Sequence, residues 1–305
     1  MASEIDQQAR EAYKANYDID PLGDISEIDA SSIPNHDLLC AGFPCQPFSI
    51  IGNRLGFDDM RGTLFFELVR IIKEKKPPMI ILENVKQLST HNKNQTISRI
   101  IESLNLLGYK TDWKVLNALN FGLPQKRERV IIIGFLDHSI DFHWPQEIKH
   151  YKPLSEVLEK EFDKKHLASE TIRDKRKASH TSKYQPAIWH ENKSGNISSY
   201  PFSCALRAGA SYNYLLVDGK RRLTPREMLR LQGFPDSFRQ VCSDSQTRKQ
   251  AGNAVPVPMI QAVIKEVVSA KTKAERRKTQ NRDRIISVGG IPKGSDIRDK
   301  QVAGL

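Results

Sequence analysis

The stretch that decides the fold is Asp37-Leu38-Leu39-Cys40-Ala41-Gly42-Phe43-Pro44-Cys45-Gln46-Pro47-Phe48-Ser49. Residues 37–41 form a short apolar run typical of a buried strand, and the glycine and proline that follow turn the chain into a loop. Pro44 and Pro47 restrict the backbone on both sides of Cys45, so we expect a thiol that is presented rather than packed. Cys45 is therefore a candidate nucleophile at the end of a strand.

Predicted helices and strands alternate on both sides of this stretch. Helical spacing of apolar residues runs from Thr63 to Lys76 and from Asn94 to Leu107, whereas Met79 to Leu82 and Val130 to Gly134 are typical of buried strands. This alternation predicts an α/β fold with a doubly wound, mainly parallel sheet. Reacting groups gather at the carboxyl ends of such strands, which makes Glu83, directly after Leu82, a second candidate.

The composition of the chain changes after Trp144, where polar and irregular sequence replaces the apolar runs. Order returns at Thr224, which is predicted to cap a helix with Pro225 at its first position and Glu227 reaching back. We therefore predict the first part of the main domain at 1–144, a small irregular domain at 145–220, a second part at 221–268 and a disordered basic tail at 269–305.

The charge of the chain points to a polyanionic partner. The formal net charge is +11, and the tail from Ala270 to Leu305 holds ten Lys or Arg against four Asp or Glu. A second basic run, Lys164 to Lys183, lies in the irregular domain. Lysines and arginines bind polyanions by releasing counterions from phosphates, although a charge run is often only a solvated surface. The four cysteines lack metal-ligand spacing, and neither a membrane span nor a signal peptide is expected.

Six ordered motifs resemble those of DNA cytosine-5 methyltransferases of the bacterial type, over roughly Ser3 to Val268. In chain order they are Gly42-Phe43-Pro44-Cys45-Gln46-Pro47-Phe48-Ser49, Arg61-Gly62-Thr63-Leu64, Glu83-Asn84-Val85, Gln125-Lys126-Arg127-Glu128-Arg129, Arg222-Leu223-Thr224-Pro225-Arg226-Glu227 and Gly252-Asn253-Ala254-Val255-Pro256. The resemblance implies a methyltransferase-type sheet and a reaction on duplex DNA, in the bacterial cytosol or nucleoid, within a restriction-modification system.

The resemblance also implies roles for the catalytic residues. Cys45 is expected to add to C6 of cytosine, which makes C5 able to accept a methyl group from S-adenosylmethionine. Glu83 is expected to share a proton with N3, and Arg127 and Arg129 to stabilise the developing charge, with Arg129 nearer the cytosine O2. The base that removes the C5 proton is not identified. Ile50 to Met60 is expected to close over a cytosine flipped out of the duplex, and 145–220 to be the target-recognition region.

The same resemblance implies an S-adenosylmethionine site and no metal. Glu4 is expected to bind the ribose hydroxyls, and Asp24 and Ile25 to contact the adenine. The other residues that match cofactor-binding positions are Pro44, Leu64, Asn253 and Val255.

The sequence departs from the family at its start, where the glycine-rich cofactor turn and the first strand are not found. A late start site, an interrupted gene and a split enzyme completed by a second polypeptide are three explanations that stay open. A catalytically inactive DNA-binding relic is the alternative function. A methyltransferase acting on tRNA is a third hypothesis, which the Pro-Cys-Gln-Pro context of Cys45 disfavours.

Overall fold

The computed structural model describes residues 1–44 and 64–288, with side chains up to residue 281. Within these ranges the helices are α1 (Gln7–Tyr17), α2 (Leu64–Lys75), α3 (Gln95–Leu106), α4 (Glu170–Ser179), α5 (Pro225–Leu231), α6 (Asp244–Asn253) and α7 (Val257–Val288). The strands are β1 (Leu38–Gly42), β2 (Met79–Val85), β3 (Lys110–Asn117), β4 (Gln125–Lys126), β5 (Glu128–Phe135), β6 (Ile188–Glu191), β7 (Ile197–Tyr200), β8 (Ser203–Cys204) and β9 (Leu215–Val217).

The main sheet has the strand order β1-β2-β5-β3 in the described part of the chain. β1 and β2 are parallel, with Gly42 opposite Glu83 at their carboxyl ends. β5 is antiparallel to both of its neighbours, so β1, β2 and β3 run in one direction. The predicted α/β fold with a mainly parallel sheet is confirmed.

Alternating side chains of β2 build a core on each face of the sheet. Ile80 and Leu82 pack with α2 and α3, whereas Met79 and Ile81 pack with α7. A strand buried on both faces has a continuous apolar sequence, which is why β2 is easily recognised. The strand is longer than predicted, and Glu83 lies within it rather than after it.

Strand β3 is absent from the sequence-based expectations. It is the edge strand of the described sheet, and Lys110, Asp112 and Trp113 on it are exposed. Its sequence therefore lacks an apolar run, and its pairing with the buried strand β5, from Lys110 opposite Phe135 to Asn117 opposite Glu128, defines it instead.

Helix α7 corrects the prediction for the tail. Residues 269–305 were expected to be disordered, but the helix continues to Val288. Ala270 and Ala274, one turn apart, keep it packed on the sheet, and Lys278 Nζ lies 2.6 Å from Asp137 Oδ2. Residues 289–305 lie outside the described residues. None of the described helices has the length and apolar character needed to cross a membrane.

The region 145–220 is less irregular than predicted. It contains an antiparallel sheet of order β7-β6-β9, whose strands of three or four residues are too short to give a clear alternating pattern. Met228 of α5 and Ala251 of α6 share a core with Ile188 and Leu215 of this sheet. The lobe and the following helices are thus packed together, and the boundary at residue 220 stays a prediction.

A buried ion pair fixes the start of α5. The predicted capping box is present: Thr224 Oγ1 accepts from Glu227 N, and Glu227 accepts from Thr224 N. The Glu227 carboxylate is fully buried and also accepts two hydrogen bonds from Arg221, at 2.7 and 2.8 Å. Glu159 N donates to it as well, at 2.7 Å. This one carboxylate therefore holds three chain segments together.

The substitution Glu227→Ala is expected to lower the free energy of unfolding by about 3–5 kcal/mol, because the buried Arg221 guanidinium loses its counter-charge. Asp236→Ala is the matched control, since Asp236 also receives two hydrogen bonds from one arginine, Arg230, but is 64% exposed. Its removal should cost about 1 kcal/mol or less. Urea unfolding of both variants measures the difference, and equal losses would contradict the assignment.

Candidate active site

Glu83 and Arg129 form an ion pair at the carboxyl end of the parallel strands. The antiparallel register of β2 and β5 places Val85 opposite Arg129 and Glu83 opposite Ile131. Arg129 Nε lies 2.7 Å from Glu83 Oε1, and the two side chains are 12% and 18% exposed. The pair is thus largely buried but still reaches the surface, as a group that meets a substrate must.

The environment of Glu83 shifts the pKa of its carboxyl group upward. Burial raises the pKa of this carboxyl, while the nearby charges of Arg129 and Arg127 act in the opposite direction. A glutamic acid with a raised pKa keeps its proton to higher pH than an ordinary one, and can share it with a substrate atom. Arg129 limits the rise and orients the carboxyl group.

Backbone contacts bring the end of β1 against this pair. Gly42 lies opposite Glu83, and a Cβ at Gly42 would come 3.2 Å from Glu83 Oε2, so the carboxylate occupies the space that a side chain would need. Asn84, which is 2% exposed, donates from Nδ2 to the Phe43 carbonyl at 2.7 Å. Gly42 and Asn84 were quoted in the motifs without a role, and both position the backbone that leads into Pro44.

Cys45, the predicted nucleophile, lies outside the described residues, as does the predicted lid Ile50 to Met60. Pro44, which precedes Cys45 directly, is described and exposed. The segment that contains Cys45 therefore begins at the same end of the sheet as the Glu83–Arg129 pair.

Arg127 has different surroundings from Arg129. We predicted that it stabilises charge on the substrate, but its side chain is 1% exposed and donates to the carbonyls of Leu206, Gly252 and Ala254 at 2.7, 2.9 and 2.8 Å. Burial, and then the charge of Arg129, lower the pKa of Arg127 to about 9. Nη1 and Nη2 of Arg127 thus hold backbone carbonyls of distant segments, whereas its buried Nε has no hydrogen-bond partner among the described residues, and its role toward a substrate stays a prediction.

The predicted cofactor residues lie in segments that contact one another. Glu4 is exposed and its backbone nitrogen donates to Leu22 O at 2.9 Å, which places it beside the turn that carries Asp24. Asp6 accepts from Gln246 and Lys249 of α6, the helix that ends at Asn253. An exposed carboxylate at Glu4 fits a ligand with ribose hydroxyls.

The other predicted cofactor residues differ in their contacts and in their exposure to solvent. Asp24 accepts from the backbone nitrogen and hydroxyl of Ser26, and these bonds lower its pKa. Ile25 packs beside α2, and Val255 packs against the core under α7. Leu64 is 43% exposed, and Asn253 is exposed too. The described residues contain no group of three or more His, Cys, Asp or Glu suited to a metal ion.

Comparisons with known proteins identify the family of this chain. The family described as C-5 cytosine-specific DNA methylase matches residues 1–269. Type II methyltransferase M.NgoBI of Neisseria gonorrhoeae is 55% identical over 268 residues, which are 87% of this chain and 84% of the relative. Type II methyltransferase M.HaeII of Haemophilus aegyptius is 51% identical over 280 residues, which are 91% of this chain and 88% of the relative.

Solved structures show the same fold at lower sequence identity. The Dnmt2 methyltransferase of S. pombe is 21% identical with a TM-score of 0.65, and the match covers 86% of this chain and 88% of that one. The methyltransferase EhMeth of Entamoeba histolytica is 15% identical with a TM-score of 0.65, covering 88% and 89%. Since the family matches nearly nine-tenths of the sequence and two relatives exceed half identity, the chain belongs to the C-5 cytosine-specific DNA methylases.

Proposed function

We propose that this protein transfers a methyl group from S-adenosylmethionine to C5 of cytosine in duplex DNA, through a covalent bond between Cys45 and C6. The observation that carries the proposal is the buried Glu83–Arg129 pair at the end of β1, where the chain leads into Pro44-Cys45. Family membership and the resemblance to Type II methyltransferases support a restriction-modification role in the bacterial cytosol or nucleoid.

The proposed reaction uses Cys45, Glu83 and Arg129 in successive steps. The Cys45 thiolate adds to C6, the electrons of the C5–C6 double bond shift into the ring, and N3 takes the proton shared by Glu83. Arg129 keeps the carboxyl group oriented and places positive charge near the cytosine O2. When bound, S-adenosylmethionine supplies an electrophilic methyl group for C5. Loss of the C5 proton then expels Cys45 as a thiolate and returns the N3 proton to Glu83.

The target cytosine must leave the base stack before this addition, because stacking hides its C6. The segment Ile50 to Met60 stays the predicted lid for the flipped base. The ordered lobe around β6, with the basic helix α4 beside it, supports the proposal that 145–220 binds the DNA. We propose that Glu4 binds the ribose and Asp24 contacts the adenine of S-adenosylmethionine, and that Asn253 is a further polar residue of the cofactor site.

The experiment that tests the proposal is transfer of tritiated methyl from S-adenosylmethionine to unmethylated duplex DNA and, in parallel, to tRNA. We expect label in 5-methylcytosine from duplex DNA alone. Label in tRNA would mean that tRNA, and not duplex DNA, is the substrate. DNA binding without heat from S-adenosylmethionine in calorimetry would mean an inactive DNA-binding relic, and methylation that appears only when a second polypeptide is added would mean a split enzyme.

Asn84 provides a prediction about positioning. Asn84→Ala removes the hydrogen bond to the Phe43 carbonyl and should lower kcat by about tenfold, the equivalent of about 1.4 kcal/mol, with KM for DNA changed by less than about twofold. Asn84→Asp keeps the size of the side chain, but its carboxylate cannot donate to the Phe43 carbonyl, so kcat should fall as it does in Asn84→Ala. Steady-state kinetics together with thermal unfolding check this, and an unchanged kcat in both folded variants would remove Asn84 from the mechanism.

A further inference from the structure

The loop 207–212 starts from a rigid base beside the catalytic strand. Leu206 N donates to Gln125 Oε1 at 3.0 Å, and its carbonyl accepts from Arg127 at 2.7 Å. Gln125 and Arg127 are both buried, and Arg129 follows two residues later on the same segment. The first end of the loop is therefore fixed to the chain segment that also carries the catalytic arginine.

The second end of the loop is fixed as firmly. The Asn213 carbonyl accepts from Arg176, whose side chain is 2% exposed, and Asn213 Oδ1 accepts from Arg222 Nε at 3.1 Å. The Tyr214 carbonyl accepts from Glu191 N at 3.0 Å. Buried arginines at both ends hold a short exposed segment in one place, as recognition of a defined shape requires.

The loop itself is slender and carries few polar side chains. Its sequence is Arg-Ala-Gly-Ala-Ser-Tyr, and Arg207, Ser211 and Tyr212 are exposed. Helix α6 passes directly against its backbone: a Cβ at Gly252 would lie 2.4 Å from Ala208 N, so only glycine permits this approach. A narrow backbone with one long cationic side chain is the shape that fits into a DNA groove.

Three guanidinium groups surround two tyrosine rings at this loop. The Arg248 guanidinium lies 4.3 Å from the centre of the Tyr212 ring and that of Arg222 5.9 Å from it, while Arg207 lies 4.7 Å from the Tyr214 ring. The carboxylate of Asp244, near Arg248, is already paired with Lys165 at 2.9 Å. The cavity between these residues, about 60 Å³, is too small for a nucleotide, so the cluster acts through its outer surface.

We propose that Arg207 reads a guanine in the major groove of the target duplex and that Arg248 holds a backbone phosphate beside it. The proposal rests on the proposed function and names the groups that select the substrate. The fork of an arginine side chain matches O6 and N7 of guanine with two hydrogen bonds, and Arg207 alone in this loop has such a fork. Arg248, half-buried against Tyr212, reaches less far and suits a phosphate.

The test is selection of bound duplexes from a randomised library by the wild-type protein, Arg207→Ala and Arg248→Ala. The wild type should select a sequence containing guanine, and Arg207→Ala should lose its preference at one guanine by about 10- to 100-fold while keeping the other positions. Arg248→Ala should keep the whole sequence, bind all duplexes more weakly, and reduce the slope of log Kd against log salt by about one.

Arg277→Ala is the matched control. Arg277 is exposed on α7, next to Lys278, whose partner Asp137 lies at the end of the sheet away from Glu83. It should change neither the selected sequence nor the salt slope. An unchanged sequence for Arg207→Ala, or a wild type without sequence preference, would overturn the proposal. Since selection needs no methyl transfer, a retained guanine preference without any methylation would count against the proposed function alone.

Discussion

Replacing Cys45 by serine is expected to reduce methyl transfer to the assay background. A serine hydroxyl is far less acidic than a thiol and adds poorly to C6, so the ring is not activated at C5. Addition alone can be followed without the methyl donor, since the adduct exposes C5 to protons of the solvent. We therefore expect release of tritium from C5-tritiated cytosine in duplex DNA by the wild type and none by Cys45→Ser.

Cys40→Ser is the control for this change, because Cys40 is a free cysteine on β1 in the same part of the chain. Its tritium release should stay within about twofold of the wild type, as expected for a side chain outside the reaction. Tritium release by a folded Cys45→Ser protein at the wild-type rate would show that Cys45 is not the nucleophile. A loss of release in Cys40→Ser alone would point to Cys40 as the nucleophile.

Glu83→Gln is expected to lower the rate of C5 exchange by about 10²- to 10⁴-fold, the range for a positioned acid or base. Glutamine keeps the size of the side chain and still accepts from Arg129, but its amide cannot transfer a proton to N3. Glu128→Gln is the control, since Glu128 lies next to Arg129 and pairs with the exposed Lys86 at 2.8 Å. It should change the rate by less than about threefold.

The pH dependence of the same assay separates a proton-sharing Glu83 from one that only orients Arg129. The wild-type rate should fall as pH rises through the raised pKa of Glu83, because the carboxyl then loses the proton that N3 needs. That decrease should be missing from the residual rate of Glu83→Gln. The same decrease in both proteins would assign the pH dependence to another group.

The sequence predicted those elements whose pattern reflects burial on both sides, one apolar face of a helix or a capped end. β2, α2 and the capping box at Thr224 are of this kind. β3 was not predicted, because an edge strand keeps polar residues and therefore lacks an apolar run. The full length of α7 was not predicted either, because only Ala270 and Ala274 hold its continuation against the sheet, while positions 271–273 and 275–284 are polar.

The resemblance named Glu83 and Arg129, and the structure shows these two side chains in contact, while their roles in the reaction stay predictions. The contacts of a motif residue with the backbone of a distant segment were not predictable. Arg127 has the same charge and motif as Arg129, yet the neighbouring segments at Leu206 and Gly252 take up its donors. The resemblance placed Arg129 nearer the substrate, and the three-dimensional arrangement adds what the two arginines contact in the protein.

The central claim is a covalent bond between Cys45 and C6 of the target cytosine, and trapping this bond tests it most directly. Duplex DNA with 5-fluorocytosine and S-adenosylmethionine should give a stable adduct, since fluorine cannot leave as a cation and the thiol cannot be expelled. Mass spectrometry of the digested protein should find the methylated nucleotide on the peptide that contains Cys45. An adduct on Cys40, or no adduct from a protein that methylates ordinary DNA, would contradict the account.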